Sequence, residues 1–470
     1  MSNPGKGTGA GTLRAAVASI RSRPSTFVAG FVSIFLGAVV VGSFTSLLAT
    51  GVAPGTSDAD REALVTMSSV VGGWGLLIVL FSVASTVSVS VHQRAGEIGL
   101  MRAIGAVPRQ TRRQLLAESF ALGIVACLAA VLPASLVGRW VFGMVQEGGM
   151  VSPDLEHSAG LPIILVTSTL VLLVSLVAVR LAGHRITGQS ANVTLRSGAQ
   201  GSVRTPGMSR SRTLAALLFL AVGASLSVVT VTVMRDQEDP YAAMQTAGPA
   251  SIFWSFGLAL LSPLLLRGAA QLLGGVLALF GVSGHLASYD ARRRSHLLAG
   301  ILAPVVVFVG MGLGTLYLMA IENHAPSVVG GVVDQAAADT LALLNYLVVG
   351  MIATFAAIMV VNTVAAVVVD RRREYGQQRL AGATPQQVVA TNCLEAVLVA
   401  VTGLLAGAVG SLGTILPYSI VKLDRVVPDV TPLWWVLVWT TAVLVTVGST
   451  WVAVRRAMRQ PALDAVGAVT

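Results

Sequence analysis

The chain is 470 residues long, 54% hydrophobic and only 11% charged, with a formal net charge of +10. Soluble globular chains carry about a quarter charged residues, so this composition excludes a water-facing surface and points to a polytopic membrane protein. The positive excess belongs to the connections between spans, and basic residues interleaved with aromatics, as nucleic-acid binding requires, do not occur.

A membrane-spanning helix needs about 20 predominantly apolar residues. Ten segments qualify: 27–49, 65–91, 115–144, 161–179, 213–234, 251–281, 298–319, 341–369, 388–421 and 433–454. Cys127 and Cys393 both lie in these runs and offer neither a disulfide framework nor a CxxC metal pair. No cleavable signal peptide is expected, because the first apolar run is long enough to span. The predicted fold is all-α, with ten transmembrane helices.

The connections alternate in charge. Arg14, Arg21 and Arg23 precede the first span, and the next connection carries Asp58, Asp60 and Glu62. A basic stretch at 94–113 follows, and then a loop with Glu147, Asp154 and Glu156. The pattern continues through Arg180, Arg185, Arg196, Arg204, Arg210 and Arg212, then Asp236, Glu238 and Asp239, the Arg292-Arg293-Arg294 run, Glu322, Asp334 and Asp339, a second basic stretch at 371–379, a mixed connection with Lys422, Asp424, Arg425 and Asp429, and Arg455, Arg456 and Arg459. Lys and Arg accumulate on the cytoplasmic side, which predicts a plasma-membrane protein with both termini in the cytoplasm. The sixth segment contains Arg267. Parity requires an odd number of crossings between Asp239 and Arg292, so 251–266 reads as the crossing, with Arg267 at the interface. Residues 268–284 then either continue the tilted helix or lie along the inner leaflet.

The stretch 94–118, RAGEIGLMRAIGAVPRQTRRQLLAE, recurs as RRREYGQQRLAGATPQQVVATNCLE at 371–395. A constant offset of 277 places Arg94 on Arg371, Glu97 on Glu374, Gly99 on Gly376, Arg102 on Arg379, Gly105 on Gly382, Pro108 on Pro385 and Glu118 on Glu395. Such spacing indicates duplication of a whole unit. The division reads as a lead-in (1–26), a first four-helix unit (27–185), a flexible linker (186–212), two linking spans (213–284), a second four-helix unit (285–460) and a tail (461–470). An even number of linking spans makes the two repeats parallel.

Each copy predicts a short helix, a glycine turn and a new helix entering the membrane. An early glutamate and a late arginine suit the helix dipole. Gly382 stops the short helix, Thr384 caps the next one, and Pro385 takes its first position. A rigid charged helix-turn beside a long span is a docking surface for a cytoplasmic partner. The positive-inside rule explains the arginines alone, and not the shared glutamate, glycine and proline positions. At the matched positions Ile98, Leu100 and Met101 stand against Tyr375, Gln377 and Gln378, so the first copy is expected to dock more tightly. Glu118 and Glu395 lie about 15 Å along their helices. They read as interfacial carboxylates paired with an arginine, or as a latch that answers the partner's movement. Asn345 and Asn362 in the eighth span read as helix-packing contacts.

The run E-I-G-L-M-R-A-I-G-A at 97–106, followed by R-R-Q-L-L-A-E-S, resembles the signature of the FtsX-like permease family, and E-Y-G-Q-Q-R-L-A-G-A at 374–383 is a weaker second match. These are membrane subunits of type VII ABC systems, among them macrolide-exporter, lipoprotein-releasing and bacitracin-resistance permeases. The resemblance implies that Glu97, Gly99, Arg102, Gly105, Glu374, Gly376, Arg379 and Gly382 belong to coupling helices seated in an ATP-binding subunit, two copies per chain. It implies export or membrane extraction of an amphipathic compound or peptide by mechanotransmission, and antimicrobial resistance as the use. Its alternative is a non-transporting regulator of an extracellular partner such as a cell-wall hydrolase. Bacitracin-type relatives carry a large extracellular domain after the seventh span, where this chain has only residues 322–340. ATP and Mg are expected on the partner, because this chain has no phosphate-loop motif, and no cofactor or metal is expected in it. The reading is a transporter subunit, not an enzyme, in contact with the lipid bilayer and with no nucleic acid.

Overall fold

The computed structural model describes residues 24–93, 108–158, 161–187, 208–235, 242–329, 335–429 and 431–463. All regular structure among them is helical. Hydrocarbon offers no partner for a backbone N–H or C=O, so a crossing segment satisfies them internally as a helix. Nine of the ten predicted spans each fall on one helix, and the sixth is divided among several. Seven helices of the described residues are long and apolar enough to cross a membrane, and an eighth crossing exists if a bent pair forms one span. The ten-span expectation is therefore matched only this far.

The chain divides into two compact units, one reaching to Val203 with Gln335–Leu341, the other holding Arg204–Asp334 and Ala342–Thr470. The first contains α1 (Pro24–Gly51), α2 (Asp58–Gln93), α3 (Pro108–Glu147) and α4 (Leu161–Thr187). Helix α1 packs on the other three, most extensively on α3. Small residues permit the approach, with Gly42 against Ala134 and Gly138 against Ser46. Ser43 Oγ donates to the Ala134 carbonyl at 3.2 Å. The loop after α3 folds back over this end of the unit. Asp60 accepts from Ser57 Oγ (2.7 Å), Ser152 N (2.8 Å) and Ser152 Oγ (2.8 Å). His157 Nε2 lies 3.3 Å from Ser46 Oγ, and Ser158 N donates to Thr50 Oγ1.

The second unit contains α5 (Arg210–Thr232), α6 (Ala242–Leu260), α7 (Ser262–Leu272), α8 (Gly274–Ala278), α9 (Gly281–Arg293) and α10 (Ser295–Val329). It continues with α11 (Gln335–Asp370) from Ala342 onward, α12 (Arg372–Leu380), α13 (Pro385–Leu423) and α14 (Leu433–Met458). Helix α10 is its centre and packs chiefly on α13 and α6. A Cβ at Gly310 would press on the Gly407 carbonyl, and one at Gly407 on the Gly310 amide, so the two backbones nearly touch. Away from α12, Glu322 of α10 accepts from Lys422 Nζ at 2.9 Å and from Tyr418 Oη. Asn345 Nδ2 donates to Met319 Sδ, a packing contact between α11 and α10.

The sixth segment departs from expectation. Its helix begins at Ala242 and breaks at Leu261, and the chain turns by 70° into α7. Helix α6 thus ends about six residues before the predicted end of the crossing at 266. Pro263, in the first turn of α7, has no N–H to donate back into α6, which removes a hydrogen bond at the break. Arg267 Nε donates to Ser295 Oγ at 2.7 Å, next to the Arg292-Arg293-Arg294 run.

Candidate coupling site

The second repeat stretch is fully described. Helix α12 spans nine residues with Glu374 in its first turn and Arg379 in its last, as the helix dipole favours. Its end is a Schellman turn: Gly382 has φ +100°, its N–H donates to the Arg379 carbonyl, and the Ala383 N–H reaches back to Gln378. Thr384 then caps α13. Its hydroxyl accepts from Gln387 N, the Gln387 side chain accepts from Thr384 N, and Pro385 opens the helix. Sequence grammar and structure agree here residue for residue.

The interior behind α12 is charged. Arg371, between α11 and α12, is 3% exposed. Its Nη1 donates to Glu395 Oε2 at 2.6 Å and to Asn392 Oδ1 at 3.1 Å. Its Nη2 donates to Asp290 Oδ2 at 2.7 Å and to Glu395 Oε1 at 3.2 Å. Glu374 Oε2 lies 3.5 Å from Arg371 Nε and accepts from Arg294 Nη1 at 2.5 Å. Two guanidinium groups thus face three carboxylates, contributed by α9, the α9–α10 junction, α12 and α13. Burial opposes the charge on Arg371, but Glu395 and its neighbours outweigh it and hold the guanidinium above its ordinary pKa. Tyr375 is buried beneath, 1% exposed, and its hydroxyl donates to Asn392 Oδ1 at 2.7 Å. Burial pushes that phenol upward, so it stays a neutral donor.

This geometry sorts the predicted site residues. Glu374 and Glu395 enter the knot. Gly376 is buried against it, and Arg379 donates to the Gln460 carbonyl beyond α14 at 2.7 Å. Of the four coupling residues predicted in this copy, only Gly382 is exposed. The outward surface is instead Arg372, Arg373, Gln377 and Leu380, running on through Thr384, Pro385 and Gln386. Tyr375 points inward, so it cannot weaken a docking face, and that part of the contrast between the two copies falls. Arg371, Asp290, Arg294 and Asn392 were missed as site residues. Arg371 carried one signal, its place at the head of the repeat opposite Arg94.

In the first copy Glu97, Gly99, Arg102 and Gly105 lie outside the described residues. Glu118 is 2% exposed and accepts from Gln114 Nε2 at 3.3 Å.

Both copies of the repeated stretch fall within matches to one family model. The model described as "FtsX-like permease C-terminal" matches residues 69–191 and again 346–462, together just over half of the chain. The chain belongs to the FtsX-like permease family. A 62-residue stretch, 13% of the chain and 14% of the relative, is 37% identical to the ABC transporter permease YtrF of Bacillus subtilis (strain 168). A stretch of 110 residues, 21% of the chain and 36% of the relative, is 27% identical to the cell division protein FtsX of Streptococcus pneumoniae serotype 2 (strain D39 / NCTC 7466). The matches thus span about a seventh and about a third of those relatives' lengths. Family and apolar helices together make this permease-type chain a multi-pass membrane protein.

Proposed function

We propose that the chain is the membrane subunit of an ATP-driven assembly, and that α12 with the Gly382 turn seats on a separate ATP-binding subunit. The observation that carries this reading is the asymmetry of α12. Its outer face is exposed and polar apart from Leu380, while its inner face is tied by buried charge to α9 and α13. A push on the exposed face therefore moves three helices together and does not merely bend a loop. Similarity to a protein named as an ABC transporter permease supports the same direction. ATP and Mg act on the partner, and the permease transmits closure into shear between its spans. The cargo proposed is an amphipathic compound or peptide, exported or drawn from the bilayer, with resistance as the benefit to the cell. Similarity to a cell division protein favours one second reading, a regulator that moves an extracellular partner such as a hydrolase.

Two coupling stretches in one chain, Glu97–Gly105 and Glu374–Gly382, imply one permease with two ATPase subunits, and cytoplasmic termini. Native mass spectrometry of the purified complex tests this. One permease with two ATPases is expected, and two permeases with two ATPases refute it. Leu380→Asp on the exposed face should release the ATPase while leaving the permease in the membrane.

A further inference from the structure

The segment between the α6 break and Arg294 is built inside out for a water-facing element. Small side chains line its inner side: Ala270, Ala287 and Ala291 are fully buried, with Leu266 and Leu277 beside them. Arg292 Nε donates to the Ala270 carbonyl at 3.1 Å and ties α9 back to α7. Gly281 takes φ +67° in the turn between α8 and α9. A Cβ at Gly284 would overlap the Leu277 carbonyl oxygen, so the hairpin closes only with glycine there. The large side chains point outward. Leu272 is 84% exposed, Leu279 83%, Val282 73%, Phe280 61% and Val276 55%. Turns in water draw on Gly, Pro, Asn, Asp and Ser, yet this turn reads Leu279-Phe280-Gly281-Val282.

We propose that α7–α9 is a membrane-inserted hairpin whose apolar face lies among the acyl chains of the cytoplasmic leaflet and whose arginines engage anionic phospholipid headgroups. Three observations choose lipid as the occupant. The hairpin's first helix, α7, forms with α6 an apolar pair bent by 70°, so α7 runs near the membrane plane when α6 follows the normal. Its outward residues match the exposure of the spans' own outer faces, where Leu132 is 73% and Val166 68% exposed. Arg292 and Arg293 are exposed at its end, the charge an anionic cytoplasmic leaflet attracts. Asp290 and Arg294 fasten that same end to Arg371 and Glu374, so displacement of α12 is carried into the leaflet. The hairpin's placement rests on the membrane reading alone and stands whether or not an ATPase binds.

The test is site-directed spin labelling of the full chain in vesicles of phosphatidylcholine and phosphatidylglycerol. Leu279→Cys and Val282→Cys are labelled separately, with Cys127 and Cys393 replaced by serine. Collision with oxygen is expected to exceed collision with a water-soluble nickel chelate several-fold at both positions, and the order to reverse at Gln377→Cys on exposed α12. Nickel access at Leu279 equal to that at Gln377 overturns the proposal. So does exclusion of both reagents, the mark of a covering protein. Omitting phosphatidylglycerol should lower the oxygen-to-nickel ratio at Leu279, and Arg292→Gln with Arg293→Gln should abolish that dependence. A ratio indifferent to lipid charge overturns the headgroup contact. Phe280→Trp, quenched by brominated lipid, gives a second readout should labelling disturb the fold.

Discussion

Replacing Arg371 by methionine leaves Glu395, whose side chain is 3% exposed, without its bidentate partner. Removing one member of a buried ion pair costs about 3–5 kcal/mol, because the survivor stays desolvated and uncompensated. Arg371→Met should fall at the upper end of that range, since three carboxylates then share only Arg294. Glu395→Gln should cost less, about 2–3 kcal/mol, because Arg371 keeps Asp290 at 2.7 Å and the amide retains an acceptor oxygen. Asp290→Asn should cost about 1 kcal/mol, since the aspartate is partly solvated at 14% side-chain exposure. Joining Arg371→Met with Glu395→Met fills similar volume with apolar atoms and should recover stability to within about 1 kcal/mol of the parent. Reversible unfolding in lipid bicelles measures the order, and the ATPase rate of the reconstituted complex measures coupling. The double variant should fold and insert but fail to couple. Arg371→Met as stable as the parent would show that the charges are not buried together. A double variant that couples normally would reduce the knot to scaffolding.

Gly382→Val forces a β-branched residue to φ +100°, at a cost of about 1–2 kcal/mol. Coupled activity should fall while membrane insertion, read by fractionation, is unchanged. In the first unit, hydrogen bonds from Ser57 and then Ser152 hold Asp60 below its ordinary carboxylate pKa. Its stabilising effect is full above the unfolded value of 3.8 and is lost as the pH falls below that value through the depressed folded one. Burial first, and Arg139 second, depress the His157 pKa below 6.5. Stability is therefore also lost as the pH falls below 6.5 toward the lower folded value. Hydrogen-exchange protection in residues 148–158, taken relative to the intrinsic rate at each pH, should fall in two steps on acidification, and His157→Gln should remove the first. Cysteines at Ser57 and Ser327 should label from outside with an impermeant thiol reagent and one at Ser202 should not. Labelling at Ser202 in intact cells refutes the topology. Scrambling 188–211 at constant composition should leave activity intact, because a linker acts through reach.

Local chemistry was legible in the sequence. Nine of the ten apolar runs became single helices because a backbone in hydrocarbon has no other way to satisfy its polar groups. The Gly382 turn, the Thr384 cap and Pro385 at the first position were readable because their partners lie within five residues. Only packing decided the rest. Arg371 finds Glu395 24 residues later and Asp290 81 residues earlier, and no local pattern selects those partners among the chain's other carboxylates. A nine-residue helix with Glu374, Tyr375 and Arg379 on its surface has no unambiguous inner face until its ends are anchored. The charge knot turned Tyr375 inward and left Arg372, Arg373 and Leu380 outside. The sixth segment was apolar on both sides of Leu261, so hydropathy could not place the bend there. Pro263 weakens the hydrogen bonding of α6 there, yet Pro133, Pro249 and Pro417 lie inside unbroken helices, so the docking of the hairpin's small residues against their own neighbours decided the break.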